Sequence, residues 1–167
     1  MKPAVFLDRD GVLNIDKGYV YKIEDFEWTL GAKQAIKFFN NLDFYVFVIT
    51  NQSGISRGYY TEKDVEKLHD YLKRQLERES IIIHDFFYSP FHPLSKIKKY
   101  KKFEHLRKPN TGMLELACEK WKINLNKSIL IGDKNSDIEC ARNFNIPGYL
   151  FNEKNLFDFV NKKIKLF

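Results

Sequence analysis

The sequence predicts an α/β fold in which a mostly parallel central sheet carries helices on both faces. Two observations lead to this prediction: short, strongly apolar runs recur along the chain, and segments of helical periodicity lie between them. Continuous apolar runs are typical of parallel strands, because both faces of a parallel sheet are covered. The 167 residues suffice for one core, so we expect residues 1–167 to form a single domain.

The predicted strands are five apolar runs. In chain order they are PAVFLD at 3–8, YVFVIT at 45–50, IIIHDFFYS at 81–89, SILIGD at 128–133 and GYLF at 148–151. Helical periodicity predicts helices at about 31–42, 61–79, 111–122 and 135–144. Helical spacing also predicts a terminal helix, through Leu156, Phe157, Val160 and Ile164.

The helix predicted from Thr61 has a recognisable start. The Thr61 hydroxyl can accept a main-chain N–H of the first turn, and Asp64 favours the positive helix end. Two segments do not fit the alternation of strands and helices, namely residues 11–28 and 90–109. Long irregular segments beside strand ends commonly carry specificity loops.

Composition limits the classes of protein that this chain can be. It is 44% apolar and 30% charged, which excludes a disordered chain. No window approaches the roughly 18 apolar residues of a membrane span, and charges precede any long apolar stretch, so we expect a cytoplasmic protein without a cleaved signal. Cys118 and Cys140 have no CxxC spacing and are expected to be reduced thiols.

The charge balance favours an anionic partner. Lys and Arg number 28 against 22 acidic residues, a net charge of +6, which suits nucleic acid, a membrane surface or a small phosphorylated molecule. The densest basic run, Lys96 to Lys102, contains five lysines. We expect this run to be a solvated loop.

The first chemical motif is FLDRDG, which places Asp8 and Asp10 two residues apart directly after a predicted strand. Side chains at i and i+2 leave a strand on the same side, and the carboxyl edge of an open α/β sheet is where ligands bind. Two acids near a turn are weak evidence by themselves, because such residues are commonly solvated or cap a helix.

Three further motifs strengthen the case: VITNQSG, RKPNTGM and LIGDKNSD. They place Thr50 and Asp133 directly after strands and Lys108 just before a helix. Each residue has an ordinary structural explanation alone, as a turn hydroxyl, a helix cap or a surface lysine. Their occurrence together, in this order at one predicted sheet edge, indicates a functional site.

These four motifs, from Val5 to about Asp137, resemble those of the haloacid dehalogenase superfamily of phosphotransferases. The resemblance implies a Rossmann-like core without a large cap domain. It implies an aspartyl-phosphate on Asp8, with Asp10 as general acid and base, and a phosphoryl group held by Thr50 and Lys108.

The resemblance also implies that the enzyme depends on Mg²⁺. The ion would be held by the carboxylates of Asp8 and Asp133 and by the main-chain carbonyl of Asp10, with Asp137 orienting these ligands. Carboxylate and carbonyl oxygens are the ligands that Mg²⁺ prefers.

Within the superfamily, DRDGVLN, DKGYV, NQSGISRGYYT and RKPNTGM together resemble the D-glycero-D-manno-heptose 1,7-bisphosphate phosphatase group. This implies an enzyme that removes the C7 phosphate from a sugar bisphosphate in nucleotide-heptose synthesis for surface polysaccharides. We also expect the protein to be a monomer. The substrate-binding residues that the resemblance implies are Arg9, Asp16, Lys17, Gly18, Tyr19, Asn51, Gln52, Ser53, Arg107 and Lys134.

The sequence departs from this group at the zinc loop that the group usually carries. Ser89, Phe91, Glu104 and Leu106 occupy the expected ligand positions, with His92 and His105 beside them. A structural zinc site normally needs four good ligands, so no zinc is expected. We expect packing to hold the loop instead, through Phe87, Tyr88, Phe91 and Phe103.

Three alternative functions stay open on sequence grounds. Histidinol-phosphate phosphatases share the fold but typically continue the second motif as NQDG. Polynucleotide 3'-phosphatases share a TNQ-type motif and would suit the positive charge, although DKGYV matches the sugar-phosphate group and makes nucleic acid an unexpected partner. A non-enzymatic binding protein would have no need for all four charged motifs.

Overall fold

The computed structural model describes residues 1–163. Five strands form one sheet: β1 (Ala4–Leu7), β2 (Tyr45–Asn51), β3 (Asp85–Ser89), β4 (Ile129–Gly132) and β5 (Gly148–Leu150). All neighbouring pairs are parallel, in the order β3-β2-β1-β4-β5. The predicted parallel α/β sheet is therefore confirmed. β3 begins four residues later than predicted. The apolar residues Ile81 and Ile83, which suggested the earlier start, are buried in the connection before the strand.

Six helices lie between and after the strands: α1 (Ala32–Asn41), α2 (Ser53–Ser56), α3 (Glu62–Glu77), α4 (Gly112–Lys120), α5 (Asn135–Asn143) and α6 (Leu156–Lys163). The five predicted helices are confirmed, with ends that differ by at most two residues wherever both ends are described. Short α2 was not predicted. Ile164, assigned by its spacing to the terminal helix, lies outside the described residues.

The alternation of side chains along β1 explains the layered architecture. Val5 and Leu7 enter a core cluster with residues of α1 and α6, whereas Ala4 and Phe6 enter a second cluster with residues of α4 and α5. All four side chains of β1 are at most 1% exposed. Helices therefore cover both faces, which is why the strand sequence is apolar at every position.

The start of α3 has the predicted cap. The Thr61 hydroxyl accepts the main-chain N–H of Asp64, and the Asp64 carboxylate accepts the main-chain N–H of Thr61. Neither partner is buried, so the cap fixes where α3 begins rather than adding to the core.

The two irregular segments pack against α2 and α3. Ile55, Tyr60, Val65 and Tyr100 form a small buried cluster, joined by Tyr21, Tyr88 and Phe91. The Ser95 hydroxyl also donates to the carbonyl of Ser56 at 2.8 Å, which ties the 90–109 loop to the end of α2. No large cap domain is present within residues 1–163, as the sequence predicted.

Packing holds the 90–109 loop, although not at every predicted residue. Phe87, Tyr88 and Phe91 join core clusters, as predicted. The prediction for Phe103 is wrong, because this ring is 67% exposed and rests on the outside of Phe91. Tyr100, which the sequence analysis did not single out, is buried instead.

Two further predictions concern the chain as a whole. Cys118 and Cys140 are free thiols, and burial raises the pKa of Cys140 to about 12, so that thiol is chemically quiet. Among the helices of the described part of the chain, none combines the length and apolar character that crossing a membrane requires.

Candidate active site

The four motif residues meet at the carboxyl edge of the sheet. Asp8 and Asp133 directly follow β1 and β4, and Thr50 lies near the end of β2. A cavity of about 160 Å³ opens there. Its lining residues are Asp8, Asp10, Thr50, Asn51, Ser53, Arg107, Lys108, Lys134, Ser136 and Asp137.

Lys108 reaches the cavity floor from the segment before α4. Its ammonium nitrogen lies 2.9 Å from Oδ1 of Asp8 and 2.6 Å from Oδ1 of Asp137, and it donates to the carbonyl of Ile49 at 2.9 Å. The side chain is 2% exposed. Burial alone would lower the Lys108 pKa, but the two carboxylates outweigh it and raise that pKa, so the ammonium stays charged.

Asp8 is a buried carboxylate whose environment opposes ionisation. Burial raises its pKa to about 7, with a further upward contribution from Asp137, while Lys108 pulls in the opposite direction. The main-chain N–H of Arg9 donates to Asp8 Oδ1 at 2.8 Å. The carboxylate is therefore held in place, and a second positive charge beside it would favour the ionised form that a nucleophile needs.

The residues beside Asp8 fit a hard divalent cation. Carboxylate oxygens of Asp8, Asp133 and Asp137 lie within 4.8 Å of one another. Oδ1 of Asp133 is buried and has no hydrogen-bond partner among residues 1–163. A buried, unpaired carboxylate oxygen facing other carboxylates is costly unless a cation completes it. The donor set is all oxygen, as Mg²⁺ prefers.

Asp137 has a different set of partners from Asp133. Its Oδ2 accepts the main-chain N–H of Lys134 at 3.0 Å, which caps the start of α5, and its Oδ1 pairs with Lys108. Asp137 therefore fixes the ammonium of Lys108 relative to α5. Its proposed role of orienting the metal ligands stays a prediction.

Glycine at position 11 lets Asp133 approach. Gly11 has φ +90°, and a Cβ there would lie 2.2 Å from Oδ2 of Asp133. Any larger residue would therefore be strained and would displace the carboxylate. The glycine of FLDRDG, which follows β1, thus makes room for the carboxylate that follows β4.

Asp10 is held by a network of amide and guanidinium donors. Nε2 of Gln52 donates to Asp10 Oδ2 at 2.9 Å, and Nδ2 of Asn14 donates to Oδ1 at 3.0 Å. Nη2 of Arg9 lies 3.1 and 3.0 Å from the two carboxylate oxygens. The Tyr60 hydroxyl in turn donates to Oε1 of Gln52 at 2.7 Å, which fixes the orientation of that amide.

A second cleft of about 230 Å³ adjoins the first cavity through shared residues. It is lined by Asp10, Asp16, Gly18, Tyr19, Asn51, Gln52, Ser53, Tyr60 and Lys134. Lys134 lies 3.6 Å from Asp16, so the DKGYV loop and the start of α5 approach across this cleft. The ring of Tyr19 packs edge-on against Tyr59 with centroids 4.9 Å apart.

Comparison with known proteins identifies the family. A HAD-hydrolase-like family model matches residues 105–153. The D-glycero-alpha-D-manno-heptose-1,7-bisphosphate 7-phosphatase of Photorhabdus laumondii subsp. laumondii is 42% identical over 144 residues, which are 86% of this chain and 79% of that protein. The chain belongs to the heptose-bisphosphate phosphatase group of the haloacid dehalogenase superfamily.

Two further comparisons agree with this membership. The D-glycero-beta-D-manno-heptose-1,7-bisphosphate 7-phosphatase of Rhodopseudomonas palustris is 37% identical over 161 residues, covering 96% of this chain and 89% of its own. The crystal structure of D,D-heptose 1.7-bisphosphate phosphatase from B. bronchiseptica, complexed with magnesium and phosphate, has a TM-score of 0.79 and 26% identity. That comparison covers 99% of this chain and 88% of the other.

In this haloacid dehalogenase protein, two of the residues predicted to bind substrate line neither cavity and contact other protein groups. Arg9 is fully buried and binds Asp10, so its guanidinium supports that carboxylate and does not face a substrate. Lys17 turns outward to Glu27, 2.8 Å away, and lines neither cavity. The prediction that these two residues bind substrate stays a prediction, and the sequence could not separate inward from outward side chains of adjacent loop residues.

Asn51 and Gln52 border the cavities, but their amides are already bonded to protein. Oδ1 of Asn51 accepts the main-chain N–H of Lys108 at 3.0 Å, and its Nδ2 donates to the Lys108 carbonyl at 3.1 Å. The amide of Gln52 connects Thr50 with Asp10. Asn51 therefore holds the main chain of Lys108, and Gln52 holds the side chains of Thr50 and Asp10. Both residues also border the cavities.

Two further residues, Ser136 and Arg57, lie within the quoted motifs but were not predicted to belong to the site. Ser136 lines the first cavity at the start of α5. Arg57 is exposed beyond α2. Burial, and then the charge of Arg57, lower the pKa of the cavity residue Arg107. The signal for Arg57 was the RGY of NQSGISRGYYT, which the sequence analysis used only to select the group.

The two histidines of the 90–109 loop, His92 and His105, contact other protein groups. Nδ1 of His92 accepts the main-chain N–H of Leu94 at 3.1 Å, and Nε2 of His105 lies 2.7 Å from Glu115. Within residues 1–163, the carboxylate trio of Asp8, Asp133 and Asp137 is the cluster of groups suited to a metal.

Proposed function

We propose that this chain removes the C7 phosphate of D-glycero-D-manno-heptose 1,7-bisphosphate through an aspartyl-phosphate on Asp8, in nucleotide-heptose synthesis. The observation that carries the proposal is the meeting of Asp8, Thr50 and Lys108 in one cavity, which opens beside a polar cleft. The cleft supplies room for a sugar next to the phosphate. The names of two relatives that cover most of the chain support this substrate class.

In the first half-reaction an oxygen of Asp8 attacks phosphorus and the ester bond to the sugar breaks. The departing sugar oxygen takes a proton from the Asp10 carboxyl group, which Gln52 and Arg9 hold at the cavity. The ammonium of Lys108 and the hydroxyl of Thr50 stabilise the phosphoryl oxygens, on which negative charge accumulates.

In the second half-reaction the Asp10 carboxylate accepts a proton from water. That water attacks the phosphorus of the aspartyl-phosphate, the bond between phosphorus and Asp8 breaks, and inorganic phosphate leaves. Asp10 returns to its protonated form, so protons balance over the cycle. The two steps share one set of stabilising groups, which is the advantage of a covalent intermediate.

Asp8, Asp133 and the main-chain carbonyl of Asp10 would hold Mg²⁺, with Asp137 fixed behind them. When bound, the ion supplies positive charge that offsets the anionic phosphate and the nucleophilic carboxylate. The unpaired Oδ1 of Asp133 supports this assignment.

The second phosphate of the sugar has a candidate contact in Arg107. This side chain lines the cavity, and its Nη1 is oriented by the carbonyl of Phe91 at 3.4 Å. Burial and the charge of nearby Arg57 lower the Arg107 pKa, and a bound phosphate would offset that repulsion. A planar guanidinium can bind phosphate oxygens in pairs, which gives geometric selection.

The test is phosphate release with Mg²⁺ from four substrates side by side: both anomers of the heptose 1,7-bisphosphate, histidinol phosphate and a 3'-phosphorylated oligonucleotide. We expect a heptose bisphosphate to be hydrolysed with the highest kcat/KM, leaving the 1-phosphate. Asp8→Asn is the matched control and should release no phosphate above background. A preference for the oligonucleotide or for histidinol phosphate would refute the proposed substrate.

We further propose that the enzyme works without zinc and as a monomer. The first statement is supported by the carboxylate cluster of Asp8, Asp133 and Asp137, which among residues 1–163 is the group suited to a metal and includes neither His92 nor His105. Elemental analysis of the purified protein tests it, and stoichiometric zinc would contradict it. Sedimentation of the purified protein tests the second, and a stable dimer would contradict it.

A further inference from the structure

Arg9 is the largest fully buried side chain, and its charge lies directly behind the proposed acid and base. Its Nη2 binds both oxygens of Asp10 and donates to the carbonyl of Val20. A buried guanidinium holds its position only if its N–H groups are paired. The remaining terminal nitrogen, Nη1, therefore needs an acceptor.

That acceptor is His69, from the buried face of α3. Nη1 of Arg9 lies 3.1 Å from Nε2 of His69, and Nη1 has no other hydrogen-bond partner within residues 1–163. Because a guanidinium only donates, Nε2 must be the acceptor and the ring proton must sit on Nδ1. The imidazole is 5% exposed and stacks on Phe86, with ring centroids 4.5 Å apart.

The environment of His69 keeps the ring neutral. Burial, and then the charge of Arg9, hold its pKa well below the ordinary value of 6.5. A neutral ring can accept from Arg9, whereas a protonated ring would repel it. The geometry thus forms a chain of contacts from α3 to the active site: His69 to Arg9, and Arg9 to Asp10.

We propose that His69 is a positioning residue, which accepts a hydrogen bond from Arg9 and thereby holds the carboxyl group of Asp10 where it can donate and accept a proton. This inference rests on the proposed role of Asp10 as acid and base. His69 itself touches no reacting atom. Its removal would leave a buried N–H unpaired, and the guanidinium would shift to find another partner.

The test exploits the leaving group. An alkyl phosphate needs a proton on its departing oxygen, whereas p-nitrophenolate leaves readily without one, so only the first ester depends strongly on a well-placed acid. The two esters are p-nitrophenyl phosphate and the alkyl phosphate that the wild-type protein hydrolyses fastest among the four substrates above. The parameter measured is kcat/KM, which covers steps up to departure of the leaving group.

Two substitutions separate the hydrogen bond from the packing. His69→Phe keeps a ring to stack on Phe86 but cannot accept. It should lower kcat/KM for the alkyl ester by roughly tenfold or more, within the 10² to 10⁴ that a general acid contributes, and for p-nitrophenyl phosphate by less than about threefold. His69→Gln offers an amide oxygen near the Nε2 position and should restore the alkyl ester to within about threefold of wild type.

The matched control is His84→Phe. His84 also accepts a hydrogen bond, from the main-chain N–H of Val46 at 3.0 Å, and lies among aromatic rings, but it has no contact with Arg9. Its substitution should change kcat/KM for the two esters by the same factor. Equal losses on both esters in His69→Phe, or no recovery in His69→Gln, would overturn the proposal.

A measurement on the wild-type protein covers the case in which His69→Phe does not fold. ¹⁵N NMR of labelled histidines should show one neutral ring with the proton on Nδ1 and an accepting Nε2. A proton on Nε2 of His69 would overturn the proposal. If the wild-type protein hydrolyses neither ester, the proposed phosphatase function fails. If the wild type is active and His69→Phe has the same kcat/KM values, only the positioning role of His69 fails.

Discussion

The ammonium of Lys108 bridges Asp8 and Asp137, at 2.9 and 2.6 Å, and all three side chains are at most 8% exposed. One buried cation thus compensates two buried carboxylates. Removing one partner from such a group is far more costly than removing an exposed ion pair, because buried charges are left without a counter-charge.

Lys108→Met should therefore destabilise the metal-free protein by about 3–5 kcal/mol at pH 8. It should also abolish turnover, since the phosphoryl oxygens lose their cation. Urea denaturation measures the free energy of unfolding, and Mg²⁺-dependent phosphate release measures activity.

The control for Lys108→Met is Lys120→Met. Lys120 pairs with Asp85 at 2.6 Å, but its side chain is 62% exposed. Exposed pairs contribute little, so this substitution should cost less than about 1 kcal/mol and leave activity unchanged. Equal destabilisation by the two substitutions would contradict the account of the buried triad.

Gly11→Ala should weaken metal binding without unfolding the protein. A Cβ at Gly11 would lie 2.2 Å from Oδ2 of Asp133, so the carboxylate must move. We expect the Mg²⁺ concentration for half-maximal activity to rise by about tenfold or more, as for other changes that misorient a metal ligand. A Mg²⁺ titration of phosphate release gives this value.

Gly58→Ala is the matched control for Gly11→Ala. Gly58 has φ +77°, and a Cβ there would meet no atom within 4 Å in the described part of the chain. It should show only the cost of left-handed backbone, about 1–2 kcal/mol, with an unchanged Mg²⁺ requirement. A normal Mg²⁺ requirement in Gly11→Ala would place the metal elsewhere.

The buried Asp8 predicts how stability depends on pH when no metal is present. Burial raises its folded-state pKa from 3.8 to about 7, so the folded state binds the proton more tightly than the unfolded state. The corresponding stability is complete below about pH 4 and is lost as the pH rises through about 7. The raised pKa of Lys108 makes stability depend on pH only above its ordinary value of 10.5, which is outside this range.

Asp8→Asn removes this titration and supplies the comparison. From pH 4 to 7 the metal-free wild type should lose stability relative to Asp8→Asn, by at most about 1.4 kcal/mol per pH unit. Saturating Mg²⁺ should reverse the difference. Denaturation curves at several pH values test this, and parallel pH profiles of the two proteins would contradict it.

Arg107→Ala should lower kcat/KM for the bisphosphate by about tenfold or more, as expected for loss of a charged hydrogen bond. Arg107→Lys should recover little of this, because an ammonium cannot bind two oxygens in one plane. For p-nitrophenyl phosphate, which has no second phosphate, both variants should stay near wild type. Steady-state kinetics on the two substrates decide this.

Arg78→Ala, at the end of α3, is the control for the loss of one positive charge. It should leave kcat/KM unchanged for both the bisphosphate and p-nitrophenyl phosphate. A similar loss on both substrates in Arg107→Ala would show that Arg107 supports the reacting phosphate rather than the second one.

The sequence predicted the sheet and much of the site because both depend on patterns that the chain displays locally. β1 is apolar at every position and is buried on both faces, and the polar residues at the carboxyl ends of β1, β2 and β4 meet because parallel strands end at one edge. Lys108 lines the cavity beside Asp8, although it comes from a segment without regular structure, and its motif was the signal for it.

The remaining features depend on pairings that no local pattern shows. Arg9 and Lys17 both resemble cavity residues in sequence, yet one is buried behind Asp10 and the other turns to a surface glutamate. His69 on the apolar face of α3 looks like an ordinary core residue until its distance to Arg9 is known. Likewise, Tyr100 is buried and Phe103 is exposed in a loop whose packing involves distant residues.

The central claim is that Asp8 carries the phosphoryl group during turnover. Quenching the reaction with acid, reducing the acyl phosphate with borohydride and sequencing the peptides by mass spectrometry identifies the modified residue. We predict homoserine at position 8 in the wild-type protein and none in Asp8→Asn. Turnover that leaves position 8 unmodified, or modification at another residue, would contradict the account.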